Sequence, residues 1–398
     1  MYCTKKITDD LVWVGANDRR LAMFEGVYSV PRGVSYNSYL LKDELTVLFD
    51  TVDKAVSQTF FENVEQELGG RKLDFVVVQH MEPDHSGSIR LIKQHYPEII
   101  IVGNKQTFGM IEGFYGVTGE QYLVKEGDFL ALGHHKLRFY MTPMVHWPET
   151  MMTFDETDGV LFSGDGFGCF GTVDGGFLDT RINVDKYWGE MVRYYSNIVG
   201  KYGSPVQKAL QKLGGLPISA ICSTHGPVWT ENIAKVIGIY DRLSRYDADE
   251  GVVIAYGSMY GNTEQMAEAI AEELSAQGVK NIVMHNVTKS HPSYIIADIF
   301  RYKGLIIGSP TYSNQIFPEV EALLSKILLR EVKGRYLGYF GSFTWAGAAV
   351  KRLAEFAEKS KFELVGDPVE MKQAMKDLTY TQCENLARAM ADRLKKDR

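Results

Sequence analysis

Four side chains that can bind a metal lie within six residues of one another, at His80, Glu82, Asp84 and His85. They follow residues 75–78, an apolar run of strand length. We therefore expect them on a loop at the carboxyl end of a strand, where a fixed backbone can aim side chains. Imidazole and carboxylate ligands together suit iron, manganese or zinc. Because unpaired buried charges are costly, this cluster has no value for stability alone and predicts a metal site.

Three later residues occupy the same kind of position, namely His146, Asp165 and His225. Each follows an apolar run and has glycine or proline nearby to turn the chain. Taken alone, a histidine or aspartate at a strand end is more often a capping or hydrogen-bonded residue. Together with the first cluster, these residues bring the set to four imidazoles and three carboxylates. That set is enough for two metals that share one bridging carboxylate.

The order of these ligands resembles the metallo-β-lactamase fold, whose zinc members carry His-x-His-x-Asp-His followed by a later His, Asp and His. Here Glu82 takes the place of the second histidine. That difference is similar to the flavodiiron proteins (A-type flavoproteins), which hold a non-haem di-iron centre. The carboxylate adds a negative charge and a harder oxygen ligand, which favours iron over zinc. The resemblance implies two iron positions bridged by Asp165, one held by His80, Glu82 and His146, the other by Asp84, His85 and His225.

A second candidate site is the loop 258–263, directly after a predicted strand and directly before a predicted helix. Its small and hydroxyl-bearing residues expose N–H and hydroxyl donors at a helix start, which is a phosphate-binding arrangement. The loop has neither the lysine of a nucleoside-triphosphate loop nor the Gly-x-Gly-x-x-Gly of a dinucleotide loop. These features favour a monophosphate. The segment resembles the phosphate loop of flavodoxins, which implies FMN.

Two further loops, 308–314 and 341–347, follow the third and fourth predicted strands of the same region. Aromatic residues and backbone donors there suit a planar ring at the carboxyl edge of a sheet. Each loop alone fits an ordinary turn equally well, but three loops in register indicate one flavin site. The candidate FMN-binding residues are Ser258, Met259, Tyr260, Gly261, Asn262, Thr263, Pro310, Thr311, Tyr312, Asn314, Ser342, Phe343, Thr344, Trp345, Ala346 and Gly347.

The elements that must position the metal ligands show antiparallel-sheet patterning at 11–14, 36–41 and 45–50. A helical pattern over 55–68 ends at two glycines, and another helical pattern covers 185–213. Strands with helices outside them predict a sandwich of two sheets covered by helices. This is the αββα arrangement that the metallo-β-lactamase resemblance implies.

After a polar and charged stretch at 244–251, strands and helices alternate strictly to the end of the chain. Five strand–helix units predict a doubly wound parallel sheet, and the phosphate-loop resemblance makes it flavodoxin-like. The fold class is therefore mixed α/β and α+β, in two domains. We predict a metallo-β-lactamase-like di-iron domain over 1–249 and a flavodoxin-like FMN-binding domain over 250–398.

The composition is that of a globular protein, with 45% hydrophobic residues and a net charge of -7 in 398 residues. The negative charge argues against nucleic acid or an anionic membrane as the main partner. Four dispersed cysteines form no Cys-x-x-Cys pair, which fits a reducing compartment and leaves the chain without a rubredoxin-like or iron–sulfur centre. With no apolar leader and no apolar run of spanning length, we expect a cytoplasmic protein.

The two sites together suit an oxidoreductase that reduces O2 to water, NO to N2O, or both. The residues alone leave the choice of gas open. By family resemblance, a soluble donor such as rubredoxin would reduce the FMN, and a head-to-tail homodimer or a dimer of dimers would form. The alternative is a di-zinc hydrolase of the metallo-β-lactamase fold, which the flavin loops disfavour because hydrolysis needs no redox cofactor.

Overall fold

The computed structural model describes residues 3–397 and consists of two compact units. The N-terminal unit comprises Met1–Tyr195 and Tyr202–Ser244, and the C-terminal unit comprises Ser196–Lys201 and Arg245–Arg398. The units therefore divide a few residues before the predicted division at 249/250. The predicted helix over 185–213 is interrupted by π and 3-10 turns between Tyr195 and Tyr202. Within 3–397, no helix combines the length and the apolar character needed to cross a bilayer.

The N-terminal unit contains two main sheets and two smaller two-stranded sheets, flanked by helices. Its strands are β1 (Lys5–Lys6), β2 (Leu11–Trp13), β3 (Ala16–Asp18), β4 (Met23–Phe24), β5 (Tyr28–Ser29), β6 (Val34–Tyr36), β7 (Tyr39–Lys42), β8 (Thr46–Phe49), β9 (Phe75–Val77), β10 (Ile100–Gly103), β11 (Gln121–Leu123), β12 (Phe129–Ala131), β13 (Lys136–Met141), β14 (Met151–Asp155), β15 (Val160–Gly164) and β16 (Ala220–Ser223). Its helices are α1 (Ser57–Leu68), α2 (Pro83–Ser86), α3 (Ile89–His95), α4 (Lys105–Tyr115), α5 (Asp185–Tyr194), α6 (Gly203–Leu213) and α7 (Ile233–Ser244). Three of these helices, α2, α4 and α7, were not predicted.

The first sheet has the order β1-β2-β7-β8-β9-β10-β11, and the second has the order β12-β13-β14-β15-β16. A shared apolar core lies between them, where Phe49 of β8 stacks on Phe162 of β15 with ring centroids 3.6 Å apart. The predicted sandwich of two sheets covered by helices is confirmed. Because β9, β15 and β16 all end at one edge of this core, the loops that follow them can meet.

The prediction of one strand over 36–41 is wrong. The strand breaks at Asn37 and Ser38, between β6 and β7. Asn37 turns its polar groups out of the sheet, and its Nδ2 donates to the carbonyls of Ser223 and Gly226 at 2.9 Å. The break therefore fastens the first sheet to the loop that carries His225.

The C-terminal unit has one main sheet with helices on both faces. Its elements are β17 (Asp249–Tyr256), α8 (Asn262–Ala276), β18 (Ile282–Asn286), α9 (Pro292–Arg301), β19 (Tyr302–Tyr312), β20 (Gln315–Ile316), α10 (Pro318–Arg330), β21 (Tyr336–Phe343), α11 (Ala349–Ser360), β22 (Glu363–Leu364), β23 (Val369–Lys372) and α12 (Asp377–Lys395). The order β18-β17-β19-β21-β22 is parallel throughout. The predicted doubly wound sheet is confirmed. The fifth strand continues as β23, which was not predicted.

Candidate functional site

The loop after β9 is fixed before it presents any ligand. The backbone N–H of Gln79 donates to Asp50 Oδ1 at 2.8 Å, and Thr153 donates to the Gln79 side chain at 3.0 Å. Pro83 then begins α2, a single turn, since proline needs no donor at the first helical position. Asp84 and His85 therefore lie on a helical turn, whereas the sequence predicted a loop.

One group of candidate ligands consists of His80, Glu82, His146 and Asp165, whose ligand atoms all lie within 4.8 Å of one another. His146 Nε2 is 3.1 Å from Glu82 Oε2 and 3.0 Å from Asp165 Oδ2. His80 Nε2 is 3.4 Å from Glu82 Oε2. Three of the four residues are buried, and Glu82 is partly exposed.

The other group consists of Asp84, His85 and His225, all buried and with ligand atoms within 4.8 Å of one another. Nε2 of His85 and Nε2 of His225 are each 3.1 Å from Asp84 Oδ2. The two groups join at Asp165, whose Oδ1 is 2.8 Å from His85 Nε2 while its Oδ2 faces His146. The structure thus brings all seven sequence-predicted side chains together, with one oxygen of Asp165 directed at each group.

The ion pairs of this cluster control the protonation of its members. Burial alone would lower the pKa of His80, but hydrogen bonds with Glu149 and Glu82 outweigh burial and raise the pKa to about 9. Burial would raise the pKa of Asp165, but the charge of His85 and hydrogen bonds with His146 and His85 hold the pKa well below its usual range. The carboxylates are therefore ionised at neutral pH. A metal would have to displace protons from His80, His85 and His146, whose pKa values are all raised, because it binds the neutral imidazole.

The buried ligand atoms fit a metal better than they fit one another. Both oxygens of Asp84 and the Nε2 atoms of His85 and His225 are buried and make no hydrogen bond of good geometry, although charged neighbours lie only 2.8 to 3.1 Å from them. Unpartnered buried polar atoms are rare in native proteins and call for an explanation. Nitrogen and oxygen lone pairs directed at one point are what a divalent ion satisfies. Four imidazoles and three carboxylates in two adjoining groups are compatible with a pair of such ions.

Sequence reasoning missed one side chain beside the candidate ligands. Glu149 is fully buried, and its Oε1 is 2.8 Å from His80 Nδ1. Its only signal in the sequence is its position three residues after His146. Tyr194 also lies beside the candidate ligands, where it is buried with its ring centroid 5.6 Å from that of His225.

A third cluster, Asp10, His135 and Asp158, also has metal-ligand spacing. Here the imidazole is already satisfied, because His135 Nε2 is 2.8 Å from Asp10 Oδ2 and Nδ1 is 2.8 Å from Asp155 Oδ2. Both ring nitrogens are engaged by carboxylates, so neither has a lone pair free for a metal. We assign this cluster a structural role.

In the C-terminal unit, the three predicted loops surround one cavity of about 410 Å³. It is lined by Ser258, Met259, Tyr260, Asn262, Thr263, Pro310, Thr311, Tyr312, Ser313, Ser342, Phe343, Thr344, Trp345 and Gln373. Four candidate residues, Gly261, Asn314, Ala346 and Gly347, do not line it. Gly261 instead caps α8 with a φ of 90°, a conformation that favours glycine. Gln373 was missed because β23, which ends just before it, was not predicted.

Comparisons with known proteins agree with both units. A family model described as ODP family beta lactamase matches residues 34–226, and a Flavodoxin model matches residues 254–385. An anaerobic nitric oxide reductase flavorubredoxin of Vibrio vulnificus is 34% identical over 366 residues, covering 90% of this chain and 74% of the relative.

Solved structures are similar over the full length. The rubredoxin oxygen:oxidoreductase of Desulfovibrio gigas has a TM-score of 0.95 at 30% identity, with 99% of each chain covered. The flavodiiron protein of Giardia intestinalis has a TM-score of 0.93 at 25% identity, with 100% of this chain and 99% of the other covered. A metallo-β-lactamase-like unit joined to a flavodoxin-like unit defines a class of oxidoreductases. Within that class, the chain belongs to the flavodiiron protein family.

Proposed function

We propose that this oxidoreductase reduces O2 to water, NO to N2O, or both, at a di-iron site that receives electrons through FMN. The observation that carries the proposal is the pair of ligand groups that share Asp165. The names of the relatives point the same way, since they include a nitric oxide reductase and a rubredoxin oxygen:oxidoreductase. A site for two metals suits a reaction that needs several electrons at one place.

The proposed roles of the ligands follow from their grouping. One iron would be held by His80, Glu82 and His146, the other by Asp84, His85 and His225, with Asp165 bridging. Bound iron would supply one-electron redox chemistry and a coordination position for the gas. The carboxylates offset the charge of the metals, and the buried imidazoles exclude water from the ligand atoms. Glu82 is the partly exposed member of its group, so it marks the side from which the gas enters.

The roles in the flavin cavity follow from its donors and its aromatics. The phosphate of FMN would bind at the N-terminus of α8, where the hydroxyls of Ser258 and Thr263 line the cavity and no cation does. Thr263 Oγ1 lies 2.9 Å from Ser342 Oγ, which links two of the three loops. Trp345 is 81% exposed beside the cavity, an unusual position for so large an aromatic, and it would cover the flavin ring.

Rubredoxin or a similar soluble protein is the proposed donor, because none of the four cysteines is placed to hold an electron-entry centre. All four are free, and three are buried. Free thiols suit the reducing cytoplasm. We also propose a head-to-tail homodimer, in which the FMN of one subunit would serve the metals of its partner, by analogy with the family.

The test is anaerobic reduction followed by exposure to each gas. The protein is loaded with FMN and Fe(II), reduced photochemically, and mixed with O2 or NO in separate experiments. We expect O2 to be consumed without accumulation of H2O2, or NO to be converted to N2O, as the reduced FMN is reoxidised. Water formation takes four electrons per O2, whereas N2O formation takes two per pair of NO molecules.

Two outcomes would overturn the proposal. If each O2 yielded one H2O2 and NO left the FMN reduced, the metals would have no part in the reaction. If protein as purified held two zinc ions per chain and reduced neither gas, the hydrolase alternative would replace the oxidoreductase.

A further inference from the structure

Glu149 is a buried carboxylate in contact with a candidate ligand. It precedes β14 and has no exposed surface. Its Oε1 is 2.8 Å from His80 Nδ1 and also accepts from the Met81 N–H at 2.8 Å. Its Oε2 is buried with no hydrogen-bond partner. Oε1 of Glu149 thus contacts both the His80 ring and the backbone of the loop that carries His80 and Glu82.

The Nδ1 atoms of His225 and His85 have different surroundings from that of His80. His225 Nδ1 is 2.7 Å from the carbonyl oxygen of Ser35, a neutral acceptor. His85 Nδ1 is buried with no hydrogen-bond partner. Of these three imidazoles, only His80 faces a carboxylate with the nitrogen that points away from the metal groups. The two metal positions therefore differ in the charge that lies behind their ligands.

Glu149 is held in place by an element outside the ligand groups. Asn104 Nδ2 donates to the Glu149 carbonyl at 2.6 Å. The Oδ1 of Asn104 caps α4, accepting from Gln106 N–H at 3.0 Å and Thr107 N–H at 3.1 Å. The cap fixes the rotamer of Asn104, so α4 determines where the backbone of Glu149 lies. The carboxylate is therefore placed before any metal arrives.

We propose that Glu149 is a positioning residue that makes the His80 side the tighter of the two metal positions. By accepting a hydrogen bond from the Nδ1–H of His80, the carboxylate fixes the tautomer whose Nε2 lone pair faces Glu82 and Asp165. It also makes Nε2 a stronger electron-pair donor to a metal, as carboxylates behind metal-binding histidines do. This inference rests on the proposed function for the presence of two metals. It adds that the metal on the His80 side binds more tightly than the other.

The test is a Co(II) titration of the full-length, FMN-loaded, metal-free protein, followed by its visible absorption. We expect the parent to bind two Co(II) ions in two steps. Glu149→Gln keeps the size and one acceptor oxygen but removes the charge. It should weaken the tighter step by about 10- to 100-fold and leave the weaker step within about threefold. In the NMR spectrum, the shifted and exchangeable Nδ1–H signal of Co(II)-bound His80 should move or broaden.

Asp155→Asn is the matched control, because Asp155 is a buried carboxylate 2.8 Å from His135 Nδ1 and outside both ligand groups. It should leave both Co(II) affinities unchanged. The inference is overturned if Glu149→Gln binds both ions like the parent, or if it weakens both steps equally together with a fall in FMN content. A parent that binds no pair of Co(II) ions would instead contradict the proposed di-metal site.

Discussion

At the scale of single residues, contacts between imidazole and carboxylate groups in the N-terminal unit have two different roles. At His135 both ring nitrogens are occupied by carboxylates, Asp10 on one side and Asp155 on the other. At His80 only Nδ1 faces a fixed carboxylate behind it, Glu149, and Nε2 points into a group of other ligands. The first arrangement stabilises the fold, and the second leaves a lone pair for a metal.

The first arrangement makes stability depend on pH. Burial alone would lower the pKa of His135, but the hydrogen bonds with Asp10 and Asp155 raise it above its usual value. Because the folded state binds the proton more tightly, the stabilisation is complete below the unfolded-state pKa of about 6.5 and is lost as the pH rises through the folded-state pKa. His135→Gln should therefore lower Tm by about 4 °C or more near pH 6, and by less near pH 9.

Calorimetry of the metal-free parent and variant at both pH values measures this difference, and titrations common to the two proteins cancel. His95→Gln is the control, since His95 lies half-exposed at the end of α3. A Tm difference for His135→Gln that grew from pH 6 to pH 9 would contradict the predicted sign.

At the scale of elements, both units place their candidate residues where strands end. In the N-terminal unit the candidate ligands follow β9, β13, β15 and β16, and in the C-terminal unit the cavity loops follow β17, β19 and β21. Parallel strands that neighbour one another bring their carboxyl ends to one edge. Helix α8 then starts at Asn262, and the first backbone N–H groups of a helix have no partner within the helix and can bind an anion.

The start of α8 gives a prediction about flavin affinity. Ser258 Oγ lines the cavity and accepts from the N–H groups of Gly261 at 3.2 Å and Glu264 at 3.4 Å. Ser258→Ala removes a hydroxyl that orders the loop and that would face the phosphate of FMN. We expect FMN to dissociate about tenfold more readily, the equivalent of one hydrogen bond, while the metal content stays unchanged.

Fluorescence titration of the apoprotein with FMN measures the affinity. Ser275→Ala, at the exposed far end of the same helix, is the matched control and should bind FMN like the parent. If Ser258→Ala and the parent bound FMN with equal affinity, the assignment of the phosphate to this loop would be wrong.

At the scale of the whole molecule, the candidate metal site and the candidate flavin site lie in different units of one chain. We therefore expect that a variant can lose one cofactor and keep the other. Asp165 is the one carboxylate directed at both ligand groups. Asp165→Asn keeps the side-chain volume but removes the charge that two metals would share. We expect it to lose most of its iron and to retain FMN at the parent level. Its reduced FMN should then be reoxidised by O2 with H2O2 as the product.

Metal analysis, the flavin absorption spectrum and H2O2 detection measure these three properties. Asp155→Asn again serves as the control and should keep both cofactors and form no H2O2. If Asp165→Asn retained two irons and the parent rate, the shared position of Asp165 would be refuted.

Much of this protein could be read from local sequence. The candidate ligands in 80–85 and the three later ones were predicted, because strand-end position and residue type are visible in a short window. The parallel sheet was predicted for the same reason, since strict alternation of strands and helices leaves few other topologies. The prediction of a strand over 36–41 was wrong because Asn37 is held by hydrogen bonds to residues 186 and 189 positions later in the chain. A local sequence pattern does not contain those partners.

The sequence by itself determined which side chains are available and roughly where each leaves its strand. Only the tertiary structure decided that Asp165 turns one oxygen to each ligand group, and that Glu149 reaches a histidine 69 residues earlier in the chain. Those choices depend on how the two sheets pack, because a shift of an ångström or two between the sheets separates a hydrogen-bonded pair. Local patterns set the residue types, and the packing of the core sets the distances.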